Sequence, residues 1–255
     1  MTATATATTP TTPDSTRRAA LVAGTFYLIT FAASIPAAFV LLPPLLDDPG
    51  YIVGAGADTS VIWGCLLDTV NALAGIGTAV ALFPVVKRQN EALALGFVTT
   101  RLLEAAVIMI GVVSLLAVVT LRQDAAAVSG ADTIALVVTG NALVAVRDWT
   151  FLLGPSLMAA LNALLLGTLM YRSRLVPRII PAMGLIGAPL LLAATTATLF
   201  GQFEQLSVVP SIAALPVAAW ELSLGIYLVV KGFKPSRITA TETSPAARQV
   251  ASPVT

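Results

Sequence analysis

The 255-residue chain is 57% apolar and 11% charged, with a formal net charge of +1 and a mean hydropathy of +0.90, where an ordinary soluble domain carries roughly 25% charge. It contains no histidine and a single cysteine, Cys65, which excludes a disulfide scaffold, a His or Cys metal centre and any chemistry that relies on imidazole. The composition is that of a membrane protein, for which no cofactor, metal or nucleic-acid partner is expected.

The first sixteen residues, MTATATATTPTTPDST, lack a basic stretch ahead of an apolar core. They read as a disordered Thr/Ala/Pro tail and not as a signal peptide. Because a bilayer core about 30 Å thick takes roughly 20 apolar residues in helix, six spans are expected. The first is Ala19 to Leu42. Beyond it VGAGAD, residues 53–58, resembles half a dinucleotide fingerprint but lacks the third glycine and a preceding strand, so it reads as a loop. The second span, Val61 to Val86, carries Gly64, Asp68, Asn71, Gly75 and Thr78 at helical spacing. Small and polar groups in such a stripe should face the bundle interior.

The third span, Ala92 to Leu121, contains Arg101 and Glu104 among sixteen Leu, Ile, Val and Phe residues. Insertion scales give about 0.3 to 0.6 kcal/mol for each such apolar residue and charge about 2.5 to 3.5 for each ion at the centre. The helix is therefore marginal alone and needs partners for its charges, each other included, since i and i+3 share a face. Residues 132–149 come next, helical in character, but the apolar part before Arg147 and Asp148 is too short to cross. Two readings stand: a short extra helix in the outer loop between the third and fourth spans, or an extension of the fourth. The fourth span is Trp149 to Tyr171, with Asn162 inside it, the fifth Ile179 to Phe200 and the sixth Ile212 to Val230. The sixth repeats the stripe pattern with Ala214, Ala218, Glu221 and Gly225. Residues 17–235 thus form the transmembrane domain, an all-α helical bundle, and residues 236–255 a disordered cytoplasmic tail.

Basic residues flank alternate ends of the spans: Arg17 and Arg18, Lys87 and Arg88, Arg172, Arg174 and Arg178, then Lys231, Lys234 and Arg237. The opposite loops hold only Arg122 and Arg147 among many acids. The positive-inside rule then places both termini in the cytoplasm and the chain in the cytoplasmic membrane. Counted along the helices at about 1.5 Å per residue, Glu221 lies near the midplane, Asn71 slightly outward and Asp68 further out, with Glu104 and Asn162 slightly inward and Arg101 deeper. Asp68, Asn71, Arg101, Glu104, Asn162 and Glu221 are the candidate site. Three acids face one buried base, so at least one carboxyl is expected to be neutral near pH 7. Such a cluster either binds or relays a proton or ion, or only locks the helices in register. Six prolines, Pro36, Pro84, Pro155, Pro181, Pro189 and Pro216, lie in or at the ends of spans and suggest kinks.

The segments RRAALVAGTFYLITFAASIP, NALAGIGTAVALFPVVKRQNEALALGFVTTRLLEAA, RDWTFLLGPSLMAALNALLLGTLMYRSRLVPRIIP and WELSLGIYLVVKGF resemble a bacterial family of multi-pass membrane proteins catalogued as domain of unknown function 4386. The resemblance covers about residues 17–235. It implies the six-helix architecture and no activity, substrate or catalytic residue. Three function classes follow: a small transporter or proton-linked permease handling a small molecule or ion, an accessory or sensory membrane protein with a structural charge cluster, and, behind both, a membrane-embedded enzyme acting on a lipid.

Overall fold

A computed structural model describes residues 13–54, 56–127 and 132–236. Among these, every regular element is helical. Eight α-helices follow in order: α1 (Pro13–Pro36), α2 (Pro43–Leu46), α3 (Asp58–Val86), α4 (Glu91–Ala127), α5 (Thr133–Phe151), α6 (Ala159–Ser173), α7 (Ile179–Leu199) and α8 (Val208–Val230). Two π-helical stretches, Ala37–Leu41 and Leu152–Met158, extend α1 and join α5 to α6. Six helical segments are long and apolar enough to cross a membrane: Ser15–Leu46, Asp58–Val86, Glu91–Ala126, Thr133–Ser173, Ile179–Leu199 and Val208–Val230. They match the expected spans closely except at the fourth. There residues 133–151 are continuous with the fourth span, because α5 runs through the π-helical stretch into α6 without a break. The first helix also begins earlier than the apolar run, at Pro13; the rest of the expected N-terminal tail, Arg237 and the C-terminal tail lie outside the described residues.

Local chemistry sets the helix ends. Asp132 caps α5, its carboxylate accepting from the backbone N–H groups of Ile134 and Ala135 at 3.0 and 3.1 Å, and the Asn90 side chain does the same for α4 through Leu93 at 2.9 Å, each satisfying donors a helix start leaves open. Helix α6 stops where Arg174 turns into the left-handed region with φ of 55°, a helix-ending conformation usually given to glycine.

The spans pack as a closed ring in chain order: α1 on α3, α3 on α4, α4 on α6 and the π-helical stretch before it, α6 on α7, α7 on α8, and α8 back on α1. Both termini of the ring meet at one end, where Arg17 donates to the carbonyls of Leu228 and Val229 at 3.0 and 2.8 Å. The Leu228 carbonyl also accepts from the Gly232 N–H just past the helix at 3.1 Å, and a cation suits that end of the helix dipole. The two helices approach closely through Gly24 and Gly225: a Cβ on Gly24 would stand 2.7 Å from the Gly225 carbonyl oxygen. At the opposite, distal end, Asp58 at the start of α3 accepts from Tyr51 at 2.8 Å and pairs with Arg122 of α4 at 3.0 Å. Burial, and after it the bond to Asp58, pushes the Tyr51 phenol above its ordinary range, so it stays a donor.

Two cores fill the ring unevenly. One occupies the terminal half and draws on α1, α3, α4, α6, α7 and α8, with Leu82, Phe97, Leu166, Met170, Trp220 and Leu224 fully buried. The other, in the distal half, is built from the end of the first span, α3, α4 and α5 and includes no residue of α7 or α8. The distal half is thus packed on one side only.

The Gly24 contact gives a direct test. Gly24→Ala forces backbone apart and should lower stability by about 1–3 kcal/mol, whereas Gly75→Ala, which meets nothing within 4 Å, should be neutral or stabilising by up to about 1 kcal/mol. Unfolding midpoints in detergent compare the two; equal losses would sink the close-packing account.

Candidate functional site

The middle of the ring is held by Arg101. It is 4% exposed, and its guanidinium pairs with Glu104 one turn along α4 at 3.1 Å and with Glu221 of α8 across the ring. Its second terminal nitrogen also reaches the Tyr27 hydroxyl of α1 at 3.4 Å, and the charge sits 5.4 Å from the centre of the Tyr27 ring. Glu104 in turn accepts from the Asn162 amide of α6 at 2.6 Å, and the Asn162 carbonyl oxygen meets the Thr100 hydroxyl. Four of the six expected site residues, Arg101, Glu104, Asn162 and Glu221, therefore form one network across α1, α4, α6 and α8.

Asp68 belongs to a different pair. Its carboxylate accepts from Arg147 of α5 at 3.2 Å, and both side chains are buried. Here the structure corrects the sequence reading, which left Arg147 in an outer loop and counted a single buried base. Arg147 is 7% exposed and stacks on Phe151 with the charge 4.9 Å from the ring centre. Space for it comes from Gly111 of α4, where a Cβ would stand 2.9 Å from the Arg147 Cδ. A signal was present in the helical spacing: Arg147, Phe151, Pro155 and Asn162 fall on one stripe once α5 and α6 are read as one helix. The cluster is three acids and two bases in two groups.

Asn71 lies between the groups and lines two cavities. One, of about 180 Å³, is also lined by Asp68, Arg147, Phe39 and Phe151. The other, of about 10 Å³, is lined by Asn71, Arg101 and Glu104, enough for about one water. The Arg101 Nε–H, buried and without a partner among the described residues, is a donor that such a water would satisfy. A third cavity, of about 620 Å³, opens at the distal end and shares Ala38 and Phe39 with the 180 Å³ chamber. The three adjoin one another between the distal surface and Arg101, the inner two sharing Asn71 and Ile108. Both π-helical stretches line them, the first through Ala38 and Phe39 and the second through Leu152 and Pro155. Each begins at or contains a proline, Pro36 and Pro155, and π-helical turns recur at functional sites because they widen a helix locally. Below Arg101 lies the packed terminal core.

A family model now sets this geometry in context, matching residues 22–232 under the description Domain of unknown function (DUF4386). The chain belongs to that family. No curated protein and no solved structure matches it. For this DUF4386 member the chemistry therefore rests on its own residues. Two carboxyls share the Arg101 guanidinium, which keeps its proton; the triad is neutral with one further proton bound and carries one negative charge without it. Among the described residues no group of His, Cys, Asp and Glu is placed to hold a metal ion.

The distal pair is testable by itself. Asp68→Asn leaves Arg147 buried without its counter-charge and should cost about 3 kcal/mol, while Asp68→Asn with Arg147→Gln removes both charges and should restore much of the loss. Denaturant unfolding of Asp68→Asn, Arg147→Gln and the double variant in detergent reads the coupling; additive losses would mean that the pair does not interact.

Proposed function

We propose that this multi-pass membrane protein is a small proton-linked permease of the cytoplasmic membrane, with both termini in the cytoplasm and the distal cavity facing outward. One observation carries the reading: three adjoining cavities lie between the distal surface and a buried Arg101–Glu104–Glu221 triad and stop at a packed core. A hollow on one side of the membrane and a dry seal on the other is one half of an alternating-access cycle. The triad supplies the coupling, since binding or losing one proton changes its charge where ionised groups cannot be left unpaired. Arg17, Arg18, Lys87, Arg88, Arg172, Arg174, Arg178, Lys231 and Lys234 gather at the end where the termini meet, which supports the cytoplasmic assignment by the positive-inside rule.

A second reading, an accessory protein whose charges only lock the helices, is favoured by the way Arg101 and Arg147 are each already paired. The two part in function. In proteoliposomes enclosing a pH-sensitive dye, a panel of small solutes should include at least one that drives proton movement through the wild-type chain. Glu104→Gln, close in shape and unable to ionise, should abolish it while retaining the folded helix content. No response to any solute, or an undiminished response in the variant, would favour the lock. Orientation has its own measurement: Cys65 is buried, so a cysteine placed at exposed Gln202 should be labelled by an impermeant maleimide on intact cells, and one at exposed Lys234 only after lysis. The reverse pattern would invert the topology.

A further inference from the structure

The 620 Å³ distal vestibule combines acids with aromatic rings. Asp47, Asp148 and Glu204 line it and, among the described residues, no Lys or Arg does. Between them stand Phe39, Trp149 and Phe203, all with substantial exposed area. Carboxylates interleaved with aromatic faces are the chemistry that holds an organic cation, since the ring face attracts positive charge and the acids neutralise it. Thr198, 7% exposed, lines the same vestibule with a hydroxyl oxygen that has no hydrogen-bond partner among the described residues, a polar group that a ligand would satisfy. The next chamber continues the pattern with Phe39, Phe151 and Asp68. Its volume of about 180 Å³ compares with about 150 Å³ for a cavity that accepts benzene, so one ring or an equivalent apolar body fits.

We infer that the distal vestibule is a binding site for a monovalent organic cation, an amine or quaternary ammonium with an apolar body of about one ring, which names the cargo class and rests on the permease reading for its direction of movement. An anion meets three carboxylates at the entrance and nothing basic until Arg147, whose charge is already matched by Asp68. A neutral solute of the same size gains the aromatic surface but neither the ion pairing nor the cation–π attraction. Deeper in, a cation competes with Arg147 for Asp68, the first acid below the vestibule whose exchange of partners would pass the positive charge inward.

Equilibrium binding of radiolabelled benzyltrimethylammonium to the full chain in nanodiscs tests this. The expected result is saturable retention that weakens with added salt, resists competition by benzenesulfonate and yields little to benzyl alcohol. The variant carrying Asp47→Asn, Asp148→Asn and Glu204→Gln should bind at least tenfold more weakly; all three side chains are exposed, so the fold tolerates their loss. Trp149→Ala should weaken binding as well without altering the salt dependence. Competition by benzenesulfonate as effective as by the unlabelled cation, full affinity in the triple variant, or equal retention by protein-free nanodiscs would each overturn the site. Binding is read here without flux. A chain that retains the cation and moves no protons would sink the permease and leave the cation site standing, while proton-linked flux with no preference for cations would do the opposite.

Discussion

A guanidinium that keeps its proton at any ordinary pH has to be neutralised where it stands, and in this fold Arg101 stands at the centre of a ring of helices. The charge is too costly to leave bare in so dry a place, and the groups that answer it come from different helices: Glu221 from α8, Tyr27 from α1, and Glu104 from its own helix, fixed in turn by Asn162 of α6. Arg101 thereby ties helices that the ring order keeps on opposite sides. The same side chains fill the middle of the ring, so the tie is also the floor on which the hollow distal half rests.

Above that floor the packing is asymmetric for a physical reason. Helices α7 and α8 add nothing to the distal core, while α5 leans its apolar face on α4 and on Ile52, which lies against Gly140. The remaining space is bordered by two helices that each carry a proline-associated π-helical stretch. Proline removes a backbone donor, and the wider turn takes up the misfit. Where the first and fourth spans would otherwise close on each other, both widen.

Much of this was legible in the residues. The six spans follow from apolar length, the basic end from the spacing of Lys and Arg, and the Arg101–Glu104 contact from their three-residue separation. The inward stripe of α3 was legible too, with Gly64, Asp68, Gly75 and Thr78 all buried. Arg147 was not, because hydropathy treats a charge near the end of an apolar run as a boundary, and its partner Asp68 lies 79 residues away in the chain. The cavities were not legible either: a void is set by where side chains fail to meet, and no residue type marks it. The six prolines were visible as positions, but only packing decides that Pro155 lines the hollow while Pro189 sits inside an α-helix.

The ring closes late. Arg101 and Glu221 are separated by 120 positions, so during synthesis the third span is made and committed to the bilayer long before its second carboxylate has been translated. Until α8 arrives, Arg101 has only Glu104 among its acidic partners, and α1 has no neighbour on its open side except lipid. A chain cut short anywhere before α8 therefore keeps the pair within α4 but lacks the bond that ties α4 to the far side of the ring, and its ring stays open.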